Sequence, residues 1–321
     1  MSRAMKIWLI IAASLVLLGC IVFSGVMTML NWNFMKLSTN KYETNEHQIG
    51  DEFKNIVIRS DTSRIELVGS ESDESSAVCH EHENAKHSVY VKDGTLFIEI
   101  VNERKWYEYI GINTDVPKIT LCIPNGEYGD LDINVSTGDV DIPEGFGFEN
   151  IDVTTDTGRV RCQATAKQDV NITATTGSIF ASGVSAASLR FTATTGKIDL
   201  NGINAEGDLS VSVSTGKARV EGVNCKNFRS DGDTGKLYLG YLKAEEKITV
   251  KRSTGDVTFE ACDAAEISVR TDTGDVNGSL LSEKVFITRT DTGDVDVPRT
   301  TSGGRCEIIT DTGDIEISIV N

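Results

Sequence analysis

Two patterns of apolar residues run along this chain, one continuous and one alternating. From Ile7 to Leu30 there are 24 residues without a charge, most of them Ile, Leu, Val, Ala, Met, Phe and Trp. At about 1.5 Å per helical residue such a run spans a hydrocarbon layer, so it predicts one membrane-crossing helix. The one candidate processing point, Leu17-Leu18-Gly19-Cys20, still has ten apolar residues after it, which a cleaved signal would lack. The segment therefore reads as an uncleaved anchor. No second run of this length occurs, and Arg3, Lys6 and the terminal amine ahead of the helix barely outweigh Lys36 and Lys41 behind it. The expected arrangement is a single pass, amino terminus in the cytoplasm and the acidic body outside it.

The alternating pattern is periodic. Thr-Gly recurs with its glycine at 138, 158, 177, 196, 216, 235, 255, 274, 293 and 313, in steps of 19 or 20 residues. Two residues after the glycine stand Val140, Val160, Ile179, Ile198, Ala218, Leu237, Val257, Val276, Val295 and Ile315, all apolar. Five residues before it stand Ile133, Val153, Ile172, Phe191, Val211, Ser230, Val250, Val269, Thr288 and Ile308, alternating with polar neighbours in the period of two of a strand with one buried face. The inward parity runs −5, −3, −1 and then +2, +4, so it slips by one at each Thr-Gly. A strand that slips there turns a corner, and glycine suits the corner because it reaches positive φ without a Cβ clash.

One such unit cannot enclose a core, but stacked units can, each strand pairing with its equivalent in the next coil. The expected fold is all-β: a parallel β-solenoid, or single-stranded β-helix, of about ten 19- or 20-residue coils, roughly 45 to 50 Å long. A sandwich or barrel is the competing reading, disfavoured by the strict period and the lack of repeated hairpin turns. Asn55 to Leu67 repeats the coil pattern with Ser63 in the glycine place, and Gly94–Ile100 and Ile119–Pro124 read as further strands. The expected order is a cytoplasmic tail (1–6), the anchor (7–30), a juxtamembrane linker (31–52), an atypical β-rich cap (53–130) and the solenoid (131–321). The last strand, Asp314 to Val320, is expected to leave its edge uncovered and open to a partner or a second copy.

The segment Val57–Glu66, the strands Leu96–Ile100 and Ile119–Pro124, the run Leu131 to Val140 and the serial Thr-Gly-Asp-Val coils resemble the bacterial putative-adhesin domain of unknown function, over about residues 53 to 318. The resemblance implies a β-solenoid ectodomain, often membrane-tethered, in envelope proteins that include accessories of envelope-stress operons. It brings no catalytic residues with it. The insertion between Gly69 and His87 and the many cysteines depart from that pattern.

Charge narrows the partners. The net charge is −17, and because residues 1–42 contain no Asp or Glu, the rest carries 27 basic against 48 acidic side chains, a net of −21. Such a body repels phosphate polymers, so nucleic acid is not an expected partner. Asp-Thr-Gly, at Asp156, Asp233, Asp272, Asp291 and Asp311, is also the tripeptide of aspartic proteases, but those need two copies facing across a pseudo-dyad, whereas here the copies are stacked corners. Asp275, Asp294 and Asp314 follow their glycines and, with Asp272, Asp291 and Asp311, bring carboxylates onto adjacent coils. That is a candidate weak Ca²⁺ site, set against the plainer reading of a wet turn. Cys79, His80, His82 and His87 form the densest soft-ligand cluster, a candidate Zn²⁺ or Cu²⁺ site although its spacing matches no zinc module and a polar loop is the commoner origin.

The cysteines at 79, 122, 162, 225, 262 and 306 never lie one coil apart, and Cys122 and Cys162, two coils apart, exceed disulfide reach, so buried free thiols are expected. Lys105 to Ile110 is the one aromatic cluster outside the anchor, packing the cap or exposed to a partner. Inward Arg252 breaks the column pattern without a reason visible in the sequence. The expected function is a non-enzymatic, adhesin-like binding scaffold of the envelope, its partner a protein or an envelope glycan. End-to-end self-assembly and, further off, a polysaccharide-active β-helix enzyme are the alternatives.

Overall fold

The computed structural model describes residues 2–32, 41–72, 74–106 and 115–320. The apolar run forms α1 (Arg3–Met29), whose first turn is capped by Ser2 accepting the Met5 N–H at 3.3 Å. At 27 residues it is about 40 Å long, long and apolar enough to cross a membrane.

The rest is a parallel stack. The strand Asp169–Ser182 runs through its corner at Gly177 and pairs in register with Asn150–Cys162 on one side and Ser188–Asn201 on the other. Ile172 thereby lies between Val153 and Phe191, and each inward column becomes a buried hydrocarbon ladder. Short third faces such as Ser185–Ala186 and Asn204–Ala205 close the coils with a column of small residues. The glycine is obligatory for two reasons seen at Gly177: its φ is +154°, and a Cβ there would sit 1.7 Å from the Gly158 carbonyl oxygen. The inward parity ends at −3, however, and the threonines just before the glycines, such as Thr176 and Thr195, are exposed on the corner rather than buried.

Inward Arg252 is explained by its neighbours. Gly232 fills the same column one coil earlier, where a Cβ would come within 1.6 Å of the guanidinium, so the missing side chain makes the room. There Arg252 donates to Ser230 Oγ at 2.8 Å, and Ser230 is itself a buried polar residue in a mostly apolar column. Burial lowers the Arg252 pKa from its ordinary value, against the opposing charges of Asp231 and Asp233.

The amino end is closed by a dedicated cap. β2 (Asn55–Thr62) and β3 (Arg64–Ser70) form the first coil, with Ser63 in the glycine place and the Ser63 carbonyl against Gly138. β6 (Thr95–Asn102) and β7 (Lys118–Pro124) stack on that coil in parallel. β4 (Ser75–His82) and β5 (Ala85–Lys92) then lie antiparallel on β7 and β6, a rung traversed in reverse. β1 (Tyr42–Ile49), inside the stretch expected to be a linker, pairs antiparallel with β4 as the outermost strand.

At the other end the coils do not stack in chain order, which corrects the expectation of an uncovered carboxyl-terminal edge. Along the rod each corner glycine amide donates to the next coil's threonine carbonyl: Gly255 to Thr273 at 2.8 Å, Gly274 to Thr312 at 2.9 Å, and Gly313 to Thr292 at 2.9 Å. The strand Gly304–Thr312 pairs with Glu266–Thr273 on one side and Lys284–Thr292 on the other. The final coil is therefore inserted inside the stack, and the preceding one forms the end. In the matching columns the inserted coil points Cys306, Ile308, Ile315 and Ile317 inward where the end coil has Phe286, Thr288, Val295 and Val297, so the clearest gain of this order is that Ile308 rather than Thr288 is fully enclosed. The end coil leaves Val285, Ile287 and Val295 between 39% and 46% exposed, in columns where the inserted coil has Arg305, Glu307 and Ile315.

Candidate functional site

The reversed rung of the cap holds the densest polar chemistry in the described part of the molecule. In β4 the alternation points Ala77, Cys79 and Glu81 inward, and in β5 it points Ala85 and His87 inward. Ligand atoms of Cys79, Glu81 and His87 consequently lie within 4.8 Å of one another, all buried, and among the described residues this is the one group of three or more such side chains that converges in this way.

Each member is tied down. His87 Nδ1 lies 2.8 Å from Glu81 Oε2, and the His87 backbone N–H donates to the same oxygen at 2.6 Å. The other carboxylate oxygen accepts from Asn45 Nδ2 at 2.8 Å, so β1 helps to hold the site. On the far side of the ring His87 Nε2 is 3.0 Å from Ser60 Oγ, Ser60 donates to Ser63 at 2.8 Å, and Ser63 donates to the Thr62 carbonyl at 2.7 Å. Ser60 stands in the inward −3 column of the first coil, opposite Val135. Burial pushes the Glu81 carboxyl up, but the hydrogen bonds from the His87 ring, Asn45 and the His87 N–H outweigh it, leaving the pKa below its ordinary value. Burial, helped by the Glu81 charge, pushes the Cys79 thiol up to about 12.

Of the four residues singled out from the sequence, the structure brings Cys79 and His87 together and places the other two elsewhere. His80 faces outward, with Nδ1 3.1 Å from Thr44 Oγ1 and its ring stacked on Tyr42 at 5.5 Å. His82 sits at the hairpin, where Nδ1 accepts the Asn84 N–H at 3.0 Å. Glu81 and Ser60 were missed, though the signal was present: inward parity for Cys79 requires it for 81 and excludes 80 and 82. A cavity of about 410 Å³, lined by Tyr42, Glu81, His82, His87, Arg104 and Asp115 among others, opens onto the cluster.

The aspartates of the calcium expectation, Asp272, Asp275, Asp291, Asp294, Asp311 and Asp314, are all exposed along the corner. Those after the glycines cap their neighbours' backbone: Asp275 accepts the Asp314 N–H at 2.9 Å, and Asp314 accepts the Asp294 N–H at 2.8 Å. Asp291 is paired with Arg289 at 3.0 Å. The cysteines outside α1 are all free, and burial pushes the thiols of Cys162, Cys225 and Cys306 up to about 12. In the aromatic cluster Trp106 is exposed, and residues 107–110 lie outside the described residues.

A groove of about 700 Å³ follows the third face past Ala205, Cys225, Ala244 and Ala264 to Lys284. Lys284, buried at the start of the end coil, reaches back to Asp263 at 2.7 Å and also bonds Ser282. Burial raises the Asp263 pKa, but the bonds from Lys284 and Ser282 outweigh it, so the net shift is downward. No aromatic side chain lines this groove.

No curated protein matches the chain. Among solved structures it is similar to a putative adhesin from Parabacteroides merdae, at 12% identity and a TM-score of 0.51, over 75% of this chain and 97% of that one. A putative adhesin from Bacteroides fragilis matches at 18% identity and a TM-score of 0.46, over 75% of this chain and 98% of that one. At these identities the likeness concerns the fold. A family model described as Toastrack DUF4097 matches residues 53–212 and again 203–321, spanning the cap and every coil of the stack. The chain belongs to the Toastrack DUF4097 family.

Proposed function

We propose that this protein is a membrane-anchored, non-enzymatic binding scaffold of the bacterial cell envelope, with its amino terminus in the cytoplasm and its rod outside. The reading is supported by one apolar helix joined through the chain to the capped end of the rod, by the family, and by the adhesin naming of similar structures. Service as an envelope-stress accessory belongs to the same reading. A polysaccharide-active enzyme needs paired catalytic carboxylates beside sugar-binding platforms, and the groove along the third face is lined by no aromatic side chain.

The observation that carries the proposal is the open end coil, which by connectivity is the end away from the anchor. Its strand edges are unpaired, and Val285, Ile287 and Val295 are exposed beside them. Its occupant, in this reading, is a second copy of the chain. Residues 284–299 carry Lys284, Arg289 and Arg299 against Asp291, Asp294 and Asp296, a net of zero on a chain of −17. Two copies can therefore meet tip to tip in a closed two-fold contact without the repulsion that their flanks would impose. Protease treatment of intact cells tests the topology: the rod is digested and the amino terminus protected, and protection of the rod contradicts it. Sedimentation of the detergent-solubilised full chain tests the contact, with a concentration-dependent dimer expected and a strict monomer contradicting it.

A further inference from the structure

We propose that Cys79, Glu81 and His87 form a binding site for one divalent transition-metal ion of the Zn²⁺ class, with Ser60 orienting the histidine. The inference is independent of the scaffold reading and concerns the cap alone.

Three observations carry it. The three side chains supply a thiolate, an imidazole and a carboxylate within 4.8 Å of one another, a set that suits Zn²⁺, a borderline-soft ion bound by sulfur, nitrogen and oxygen alike. Ligands around a tetrahedral ion are about 3.3 to 3.6 Å apart, so the Nδ1–Oε2 pair, at 2.8 Å, has to open by about half an ångström and the sulfur to close in by up to about an ångström. The imidazole is already oriented: Ser60 passes its own hydrogen to Ser63, which leaves Ser60 Oγ to accept from His87 Nε2–H. Nδ1 then faces Glu81 Oε2 at 2.8 Å, and what lies between them is either a shared proton or a metal. Metal-ligating histidines are characteristically held in this way by a hydrogen bond at the other ring nitrogen. Finally, the cavity that Glu81 and His87 line provides both a route for the ion and room for a water in a fourth position.

The site also accounts for what is otherwise an odd use of buried polar groups. The Cys79 thiol is wholly buried, and as a free thiol it contributes only as a small apolar group. Metal binding ties β4 to β5 across their hairpin, since Cys79 and Glu81 come from one strand and His87 from the other. It would therefore fasten the rung that closes the core.

The probe is Co²⁺, which reports thiolate ligation through a charge-transfer absorption band, titrated into the detergent-solubilised full chain freed of metal by chelation. The expected result is a saturating thiolate-to-cobalt band that Zn²⁺ abolishes by displacement, together with a rise in the melting temperature when either metal is present. Cys79→Ser should remove the band, Ser60→Ala should weaken binding about tenfold or more, and His80→Gln, whose ring faces outward, should leave both unchanged. Absence of a thiolate band in the wild-type chain would overturn the proposal, whatever the variants do. So would loss of the band in His80→Gln with retention in Cys79→Ser.

Discussion

The two ends of the rod face the same physical problem and meet it differently. A parallel stack ends in a coil with unpaired strand edges and a cross-section of hydrocarbon. At the amino end the chain closes that coil with a rung run in reverse and an outer strand, β1, that carries Glu43 and Glu46 along its edge. At the far end the coil with Ile308 in the −5 column lies inside the stack and the coil with Thr288 there lies outermost, with Val285 and Ile287 facing solvent. Closing one end by chain and leaving the other to contact gives the molecule a direction. The stacking order near the open end departs from the order of residues and puts Ile308, not Thr288, in the enclosed position.

The comparison breaks most sharply at a pair of equivalent positions. Ile308 and Thr288 occupy the same column, the first fully buried in the inserted coil and the second partly exposed in the end coil. Ile308→Ala is expected to cost about 3 kcal/mol in denaturant unfolding, and Thr288→Ala about 0.5 kcal/mol or less. Similar costs at the two sites would mean that the order of the last coils is not the one described.

Next in size is the open surface itself. Ile287→Lys adds a like charge to each side of a tip-to-tip contact while removing an apolar group that is 46% exposed in the monomer. Self-association should weaken about tenfold or more, with the melting temperature of the dilute protein nearly unchanged. A matching charge on the cap edge, Gln48→Lys, should leave association as it was.

A smaller effect concerns how the end coil is fastened. Asp263 has a pKa depressed below 3.8, so its bond to Lys284 contributes stability that is present above that value and lost as pH falls through the folded pKa. Acid titration followed by hydrogen exchange should release residues 284–297 before the cap. In Asp263→Asn that acid-dependent step should be absent. The smallest expected effect is that of Ca²⁺. Carboxylates of Asp275 and Asp314 already serve backbone N–H groups, so millimolar Ca²⁺ should move the melting temperature no more than Mg²⁺ at equal concentration. A specific rise with Ca²⁺ would show that the corner binds the ion instead.

How far the sequence spoke depended on what its period could distinguish. Thr-Gly at 19 or 20 residues exposes the solenoid because every corner needs the same glycine, for the same close approach to the carbonyl beneath it. The period is blind to exchange of the last two coils, since the same register results whether 293 or 313 follows 274. The clues lay in side chains: Thr288 where most coils are apolar, and Val285 and Ile287 where the inserted coil has Arg305 and Glu307. Arg252 was likewise legible only against Gly232 and Ser230, about one turn of chain away. In the cap, density of Cys and His drew notice to residues 79–87, but the reversed rung that unites Cys79, Glu81 and His87 depends on antiparallel pairing that no repeat announces.

The inverted order of the last two coils can be tested by cross-linking. Ser268 pairs with Glu307 in the adjacent strand, and Glu307 pairs in turn with Ile287. Cysteines at 268 and 307 should lie about one strand spacing apart and oxidise to a disulfide, while cysteines at 268 and 287 lie about two spacings apart, beyond reach. Peptide mapping of the full chain after mild oxidation should find the bond in Ser268→Cys/Glu307→Cys and not in Ser268→Cys/Ile287→Cys. The reverse result would return the coils to chain order and put the coil of Gly304–Ile319, not that of Val285 and Ile287, at the open tip.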